Sequence, residues 1–581
     1  DADSCREICT LGGFHKIAIA CVAFSPDGKR VVSVGSDDNH SVALWETQSG
    51  TWEDGKSVAS SRGDKSIVLF ACFTPNKGKG VIFVTGGKNH ISFWSLSGRS
   101  LKRKLGKRKG RRSPFTQYCA TYVGNALNYR MVSGDAAGQL NVWKCDDEGI
   151  GKLTKLNNYD NAVFPKRKGN AAITSIAPCY GEDTVAEVKY IVTGSKDGEM
   201  HVLKWSEDGN LLEKYMHLNL AEAKPAPTVP EIRSVCIDLP LKKCLVGSKG
   251  SEIYICDIDV EGDKTSKPFK LLESGHNDDE LWGLAVNPFV KDKTIVATSG
   301  DDKKVRVWEK DPKLGSLKLL TICHCDGMSR AVAWIDECTL VAGLGGRMGR
   351  TAIGKKKRRR TKSGGVDGGV DGKMNVFSIP DTSMAAPYAE HINAIPPDTE
   401  YDFGKKNKKW ISDIKFYQPN NSNQKYLAVS DHDSKVLIYM MKDSKKFWPC
   451  IGMCKKSPSS VTHIDFGQKG QDVYIRTNNL SLEVLRYSIK KDTNGKYKVK
   501  QETRLRDVRD VKWASNTCVM EWGTEGIWPQ GAASDDINSV CTSPDNNVVV
   551  SADDHGHVNM FNYPCITSGA SANVGKGHSS H

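Results

Sequence analysis

Apolar and polar residues alternate along most of the chain in short runs, the two-residue period of a half-buried β-strand rather than the 3.6-residue period of a helix. Three segments show the arrangement best: "ACVAFSPDGKRVVSVGSDDNHSVALWE", "WGLAVNPFVKDKTIVATSGDDKKVRVWEK" and "NSVCTSPDNNVVVSADDHGHVNMFNY". In each, an alternating strand ends near a proline or its equivalent, and a polar turn follows. A β-branched strand closing on Ser, Thr or Gly comes next. An Asp-rich turn then leads into a short strand that ends on Trp or Phe. Weaker copies end at Trp94, Trp143, Trp205, Tyr439 and Tyr487. No long helical pattern stands out.

The repeat recurs every 40–50 residues or so, the length of one WD40-type propeller blade. About eleven such units fit the chain, and a single ring holds roughly four to eight. The pattern therefore predicts an all-β protein built as tandem WD40-type β-propellers, two closely joined rings with incomplete terminal blades. The break is placed between Asp311 and Thr321, after the strong unit ending at Trp308. This gives a first propeller over residues 1–312, lacking its first blade. A second, atypical propeller covers residues 313–581, with its last blade truncated and a basic Gly-rich insertion at 347–373.

Composition narrows the class. The chain has 581 residues, of which 39% are hydrophobic, and no apolar run approaches the roughly 20 residues of a membrane span. Its opening, "DADSCREICT", is polar and acidic and has no signal-peptide character. The missing initiator Met suggests a piece of a longer chain. Most of the 18 cysteines sit singly in apolar strand-like runs, as Cys21 and Cys72 do, where a thiol acts as a small hydrophobe. That usage fits a reducing compartment: the cytoplasm and its cytoskeleton.

Candidate chemistry is sparse. His276, Thr298, Asp302 and Trp308 stand at the offsets of the hydrogen-bond chain inside a WD blade. A Ser/Thr–His–Asp set can also suggest a hydrolase, but here the structural role has far more support. "CHC" at Cys323–Cys325 and "CIGMC" at Cys450–Cys454 lack the C-x₂-C spacing of a metal site. "GLGGRMG" at Gly343–Gly349 misses the dinucleotide fingerprint by one position. The reading is of a protein without enzymatic activity, cofactor, metal or small-molecule ligand.

Charge supplies the strongest functional hint. The net charge is +14, and it is concentrated in three clusters. The first comprises Lys102, Arg103, Lys104, Lys107, Arg108, Lys109, Arg111 and Arg112. The second is Lys166, Arg167 and Lys168. The third, inside the Gly-rich insertion, is Lys355, Lys356, Lys357, Arg358, Arg359 and Arg360. All three are read as connections between strands, of the two loop types that leave a propeller on one face. Such loops suit an acidic partner. Single-stranded nucleic acid is disfavoured because no aromatics interleave with the cations.

The C-terminal sequence is more specific. "RDVKWASNTCVMEWGTEGIWPQGAASDDINSVC", "SADDHGHVNMFNYPC" and the terminal "GHSSH" closely resemble the second propeller of the echinoderm microtubule-associated protein-like family. "LGGFHKIAIACVAFS…DDNHSVALW" and "GHNDDELWGLAV" resemble its first propeller. The resemblance implies a tandem propeller pair that binds tubulin or microtubules, alongside other cytoskeletal or axonemal proteins, in the cytoskeleton and often in cilia. On that reading the basic clusters meet the tubulin surface, and no membrane is involved. A basic WD40 platform for RNA or ribonucleoprotein assembly is the main rival, and a peptide-reading substrate receptor a weaker one.

Overall fold

The computed structural model describes residues 7–75, 80–107, 115–125, 127–145, 171–179, 187–206, 211–277, 280–313, 315–345, 372–379, 394–395, 399–402, 409–420, 422–432, 434–441, 448–529 and 537–576. These residues form antiparallel sheets of the expected kind. The blade around Trp308 illustrates the order. Its strands are Leu281–Val286, Ile295–Gly300, Lys304–Lys310 and Leu317–His324, each paired antiparallel with the next. Ten such blade sheets lie among the described residues, against the eleven or so units read from the sequence. They make an all-β chain of successive WD40-type propeller blades.

The chain divides into two compact units, residues 1–275 and 276–581. Five blades lie in each. The division at 275/276 corrects the boundary at 312/313, which falls inside the hairpin joining Lys304–Lys310 to Leu317–His324. The reason is that Trp marks the third strand of a blade, not its end. Trp45, Trp94, Trp143 and Trp308 each lie on the third strand and donate the indole N–H to a Ser or Thr hydroxyl on the second, at 2.8–2.9 Å. A fourth, outer strand follows in the blades of Trp45, Trp94 and Trp308. The final described blade, Ile537–Thr542 to Asn573–Lys576, is four-stranded, and the expected truncation after it falls on residues 577–581, outside the described residues. Its outer strand is exposed throughout and carries no apolar alternation to announce it.

The cores lie between neighbouring blades. In the first unit the inner strands Ile19–Phe24, Val68–Phe73, Gln117–Gly124, Ile173–Cys179 and Ile232–Asp238 follow one another side by side. Buried Val, Ile, Leu and Trp fill the wedges between them, as do Val84, Phe93, Met131, Trp143 and Ile191 across three blades. In the second unit the same succession runs through Leu281–Val286, Ser329–Trp334, Ile411–Tyr417 and Val461–Lys469. The described cysteines are all free thiols. Burial pushes the Cys21 and Cys72 thiols up to about 12, as expected of inert, hydrophobe-like cysteines.

One blade of the second unit carries an addition. Lys512–Trp513 pairs with the inner strand Val461–Lys469, and the chain from there to Trp528 wraps over the sheet. Arg476, buried in the second strand of that blade, holds it in place. Its guanidinium bonds Asp465 at 3.0 Å, the Ser515 carbonyl at 3.1 Å and Asn516 at 2.6 Å, and lies 4.5 Å from the Trp513 ring centre. Asp465 in turn accepts from the Thr517 and Cys518 backbone N–H groups at 3.0 Å. Further along, Gly526 passes so close to the last blade that an added Cβ would lie 2.5 Å from the Thr567 carbonyl oxygen. Only glycine fits there.

Candidate functional site

The four residues singled out in the blade around Trp308 form one continuous chain. His276 Nδ1 lies 3.0 Å from Asp302, and Nε2 lies 2.9 Å from the Thr298 hydroxyl. The Trp308 indole donates to that hydroxyl at 2.8 Å. Arg306 closes the far end with a 2.7 Å bond to Asp302. Burial pushes the Asp302 carboxyl up, but His276 and Arg306 outweigh it and hold the group below its ordinary range. The hydroxyl is thus bonded on both sides, by the imidazole and by the indole. A second chain, His15–Ser33–Trp45, runs through the first described blade at 2.7 and 2.8 Å. It was legible in the same His-to-hydroxyl-to-Trp order but was not singled out.

The basic clusters fare differently. Lys102, Arg103 and Lys104 belong to an outer strand, Ser100–Leu105, which corrects their placement in a connection. All three are exposed, and Arg103 turns its head back on its own blade. Its guanidinium donates to the Gly63 carbonyl at 2.6 Å, approaches Asp64 at 3.5 Å and sits 6.0 Å from the Trp94 ring centre. A strand presents its residues alternately, so three adjacent cations cannot share one face. Lys107 is exposed just beyond the strand. Arg108, Lys109, Arg111 and Arg112 lie outside the described residues, as do Lys166–Lys168, Lys355–Arg360 and nearly all of the insertion at 347–373.

The insertion's roots are described, and they stand beside a group the sequence reading missed. Its flanking strands Thr339–Leu344 and Lys373–Ser378 are paired neighbours. Leu344, the last strand residue before it, pairs with Ser329, and the Gly345 N–H donates to the Met328 carbonyl at 3.0 Å. Next to Ser329 comes Arg330. Its guanidinium lies 4.0 Å from the Trp282 ring centre and 3.9 Å from that of Trp410, and is bonded to Asp301 at 3.2 Å. Trp282 is 46% exposed, and His432, also exposed, packs on Trp410 at 4.6 Å. Trp282 and Arg330 are the second residues of their inner strands and Trp410 immediately precedes the next, in three successive blades. The strand succession therefore stacks them at one mouth of the second unit. Trp282 and Arg330 occupy equivalent positions of their repeats, but Trp410 lies two positions earlier in the next, so no single repeat position announced the stack.

An aromatic platform stiffened by a paired arginine has the composition of a protein-binding hot spot. His432 is held below its ordinary range, first by burial and then by Lys409 and Arg330, against a backbone hydrogen bond that favours its charged form. Elsewhere, Glu199, His201 and His217 are the one group among the described residues whose imidazole and carboxylate donors converge closely enough to hold a metal ion.

Comparison with known proteins gives a consistent picture. Residues 281–581 match the family model described as the echinoderm microtubule-associated protein second beta-propeller, and residues 6–46 match the WD domain, G-beta repeat. The chain is 28% identical over 576 residues to echinoderm microtubule-associated protein-like 2 of Rattus norvegicus, covering 98% of this chain and 72% of the relative. It is 25% identical over 578 residues to echinoderm microtubule-associated protein-like 1 of Homo sapiens, covering 98% and 57%. The 77 kDa echinoderm microtubule-associated protein of Lytechinus variegatus is also 25% identical over 578 residues, with 98% and 70% covered.

Proposed function

Because the chain belongs to the echinoderm microtubule-associated protein family, we propose that it is a non-catalytic scaffold that binds microtubules through a basic mouth of its second propeller. The observation that carries this reading is the Trp282–Arg330–Trp410 stack beside the roots of the insertion bearing Lys355–Arg360. The two parts do different work. Six adjacent cations attract an acidic surface at a distance, with a strength that falls as salt rises. The tryptophans supply rigid contact area once the partner has arrived. Lys102, Lys104 and Lys107 give the first unit a second basic region, next in sequence to the cations at 108–112. The acidic tails and outer surface of tubulin are the partner that this chemistry suits.

Co-pelleting with microtubules tests the reading. Neutralising Lys355–Arg360 to Gln should weaken binding at least about tenfold and flatten its salt dependence. Trp282→Ala should weaken binding with the salt dependence kept. Removing the tubulin tails should mimic the loop variant. Unchanged pelleting of the loop and Trp282 variants alike would reject the site. Equal affinity for RNA at physiological salt would favour the ribonucleoprotein reading instead. The ciliary axoneme is one lattice on which such a scaffold would sit, and retention on detergent-extracted axonemes is the measurement for it.

A further inference from the structure

We propose that Glu199, His201 and His217, on the third and fourth strands of one blade in the first unit, form a binding site for a divalent transition-metal ion of the zinc type. The proposal is independent of microtubule binding.

Strand geometry brings the three together. Glu199 and His201 are two residues apart on Glu199–Ser206 and so share a face. His217, on Leu211–Asn219, is the direct cross-strand partner of His201, and Asn219 is the partner of Glu199. Directly opposed residues stand with their Cβ atoms about 4.5–5.5 Å apart, close enough for two imidazoles to reach one point. The rings are 4.7 Å apart with an interplanar angle of 31°. One donor atom from each of the three residues lies within 4.8 Å of the others. On a tetrahedral zinc ion with bonds of about 2.0–2.1 Å, ligand atoms are about 3.3–3.5 Å apart. Rotation of the two outer side chains would close that gap without moving the hairpin.

The donor set is chemically selective. Two imidazoles and a carboxylate suit zinc and its neighbours, whereas calcium and magnesium take oxygen ligands alone. Three protein ligands leave a fourth position for water. His201 is buried at 3% exposure, and the side chain of His217 is 42% exposed, so the site has a fixed floor and a route in from solvent. His217 Nε2 already contacts Glu199 Oε2, and the ion would enter between them. Asn219 supports the carboxylate from behind, with its amide 3.4 Å from Glu199 Oε1. Bound metal would clasp the outer strand to its neighbour.

Sequence spacing could not show this site. Glu199 and His201 are adjacent in register, but their partner comes 16 residues later, across a hairpin.

The test uses the whole chain, stripped with chelator and titrated with Co²⁺ and then Zn²⁺. One ion should bind with the visible d–d bands of four-coordinate Co²⁺ and no thiolate charge-transfer band. It should also raise the melting temperature. His217→Ala and Glu199→Gln should each weaken binding at least about tenfold and abolish the metal-dependent melting shift. Their metal-free melting temperatures, close to that of the parent, would show that both variants fold. No uptake at micromolar metal, uptake insensitive to both substitutions, or a thiolate band would each overturn the proposal.

Discussion

Two blades of the second unit bury an arginine against an aspartate, and they use the pair differently. In the blade around Trp308 the pair is local: Arg306 and Asp302 are four residues apart, and the aspartate passes the bond on to His276, Thr298 and Trp308 within the same sheet. In the blade around Arg476 the pair reaches outward. Arg476 and Asp465 sit on neighbouring strands, and their remaining hydrogen bonds go to Ser515, Asn516, Thr517 and Cys518 in an added segment. The first device satisfies polar groups that the strands themselves create. The second fastens a stretch of chain that has no ladder of its own beyond Lys512–Trp513. A buried charge pair adds little net stability over an apolar one of equal shape, so its value here lies in fixing which segment covers the blade.

The comparison is broken most severely at Arg476. Arg476→Ala leaves Asp465 buried with its main counter-charge gone, and should cost about 3–5 kcal/mol in denaturant unfolding. Hydrogen exchange should also accelerate through residues 513–528. A loss below about 1 kcal/mol would show that the segment is held by packing instead. Thr298→Val probes the local device. It removes the hydroxyl between His276 and Trp308 and should cost about 1–3 kcal/mol, with exchange confined to its own blade.

Acid sharpens the contrast. Burial raises the Asp465 carboxyl, but Arg476, Lys415, Ser515 and the Cys518 N–H more than reverse this, and its folded value is depressed. Asp302 is depressed by the same logic. A depressed carboxylate contributes stability that is fully present above its unfolded value and lost as pH falls through the folded one. Stability of the second unit should therefore fall below about pH 4, and Asp465→Asn should flatten that fall more than Asp302→Asn. The smallest effect is expected at Lys104, exposed on the outer strand Ser100–Leu105. Lys104→Gln should change stability by less than about 0.5 kcal/mol, so any loss of microtubule pelleting reads binding alone.

The repeat was legible because each blade writes the same local rules into its own sequence. Alternation gives the strands, Asp-rich turns give the hairpins, and Trp marks the third strand because its indole bonds a hydroxyl one strand away. The His276–Thr298–Asp302–Trp308 chain could be read for the same reason: all its members lie within one repeat. The boundary at 312 went astray where the local signal stops, since the outer strand Leu317–His324 answers to its neighbour across a hairpin and not to a motif.

What the sequence determined by itself, then, is everything carried by residues a few positions apart: strand period, turn chemistry, the blade-internal polar chain and the excess of positive charge. Tertiary structure decided what depends on meeting across strands or blades. It turned Arg103 back onto Gly63 and Asp64, stacked Trp282, Arg330 and Trp410 from three repeats, and set His217 opposite His201. Such meetings are fixed by register and ring closure. A linear pattern records which side chains are available, and only the folded backbone sets which of them share a space.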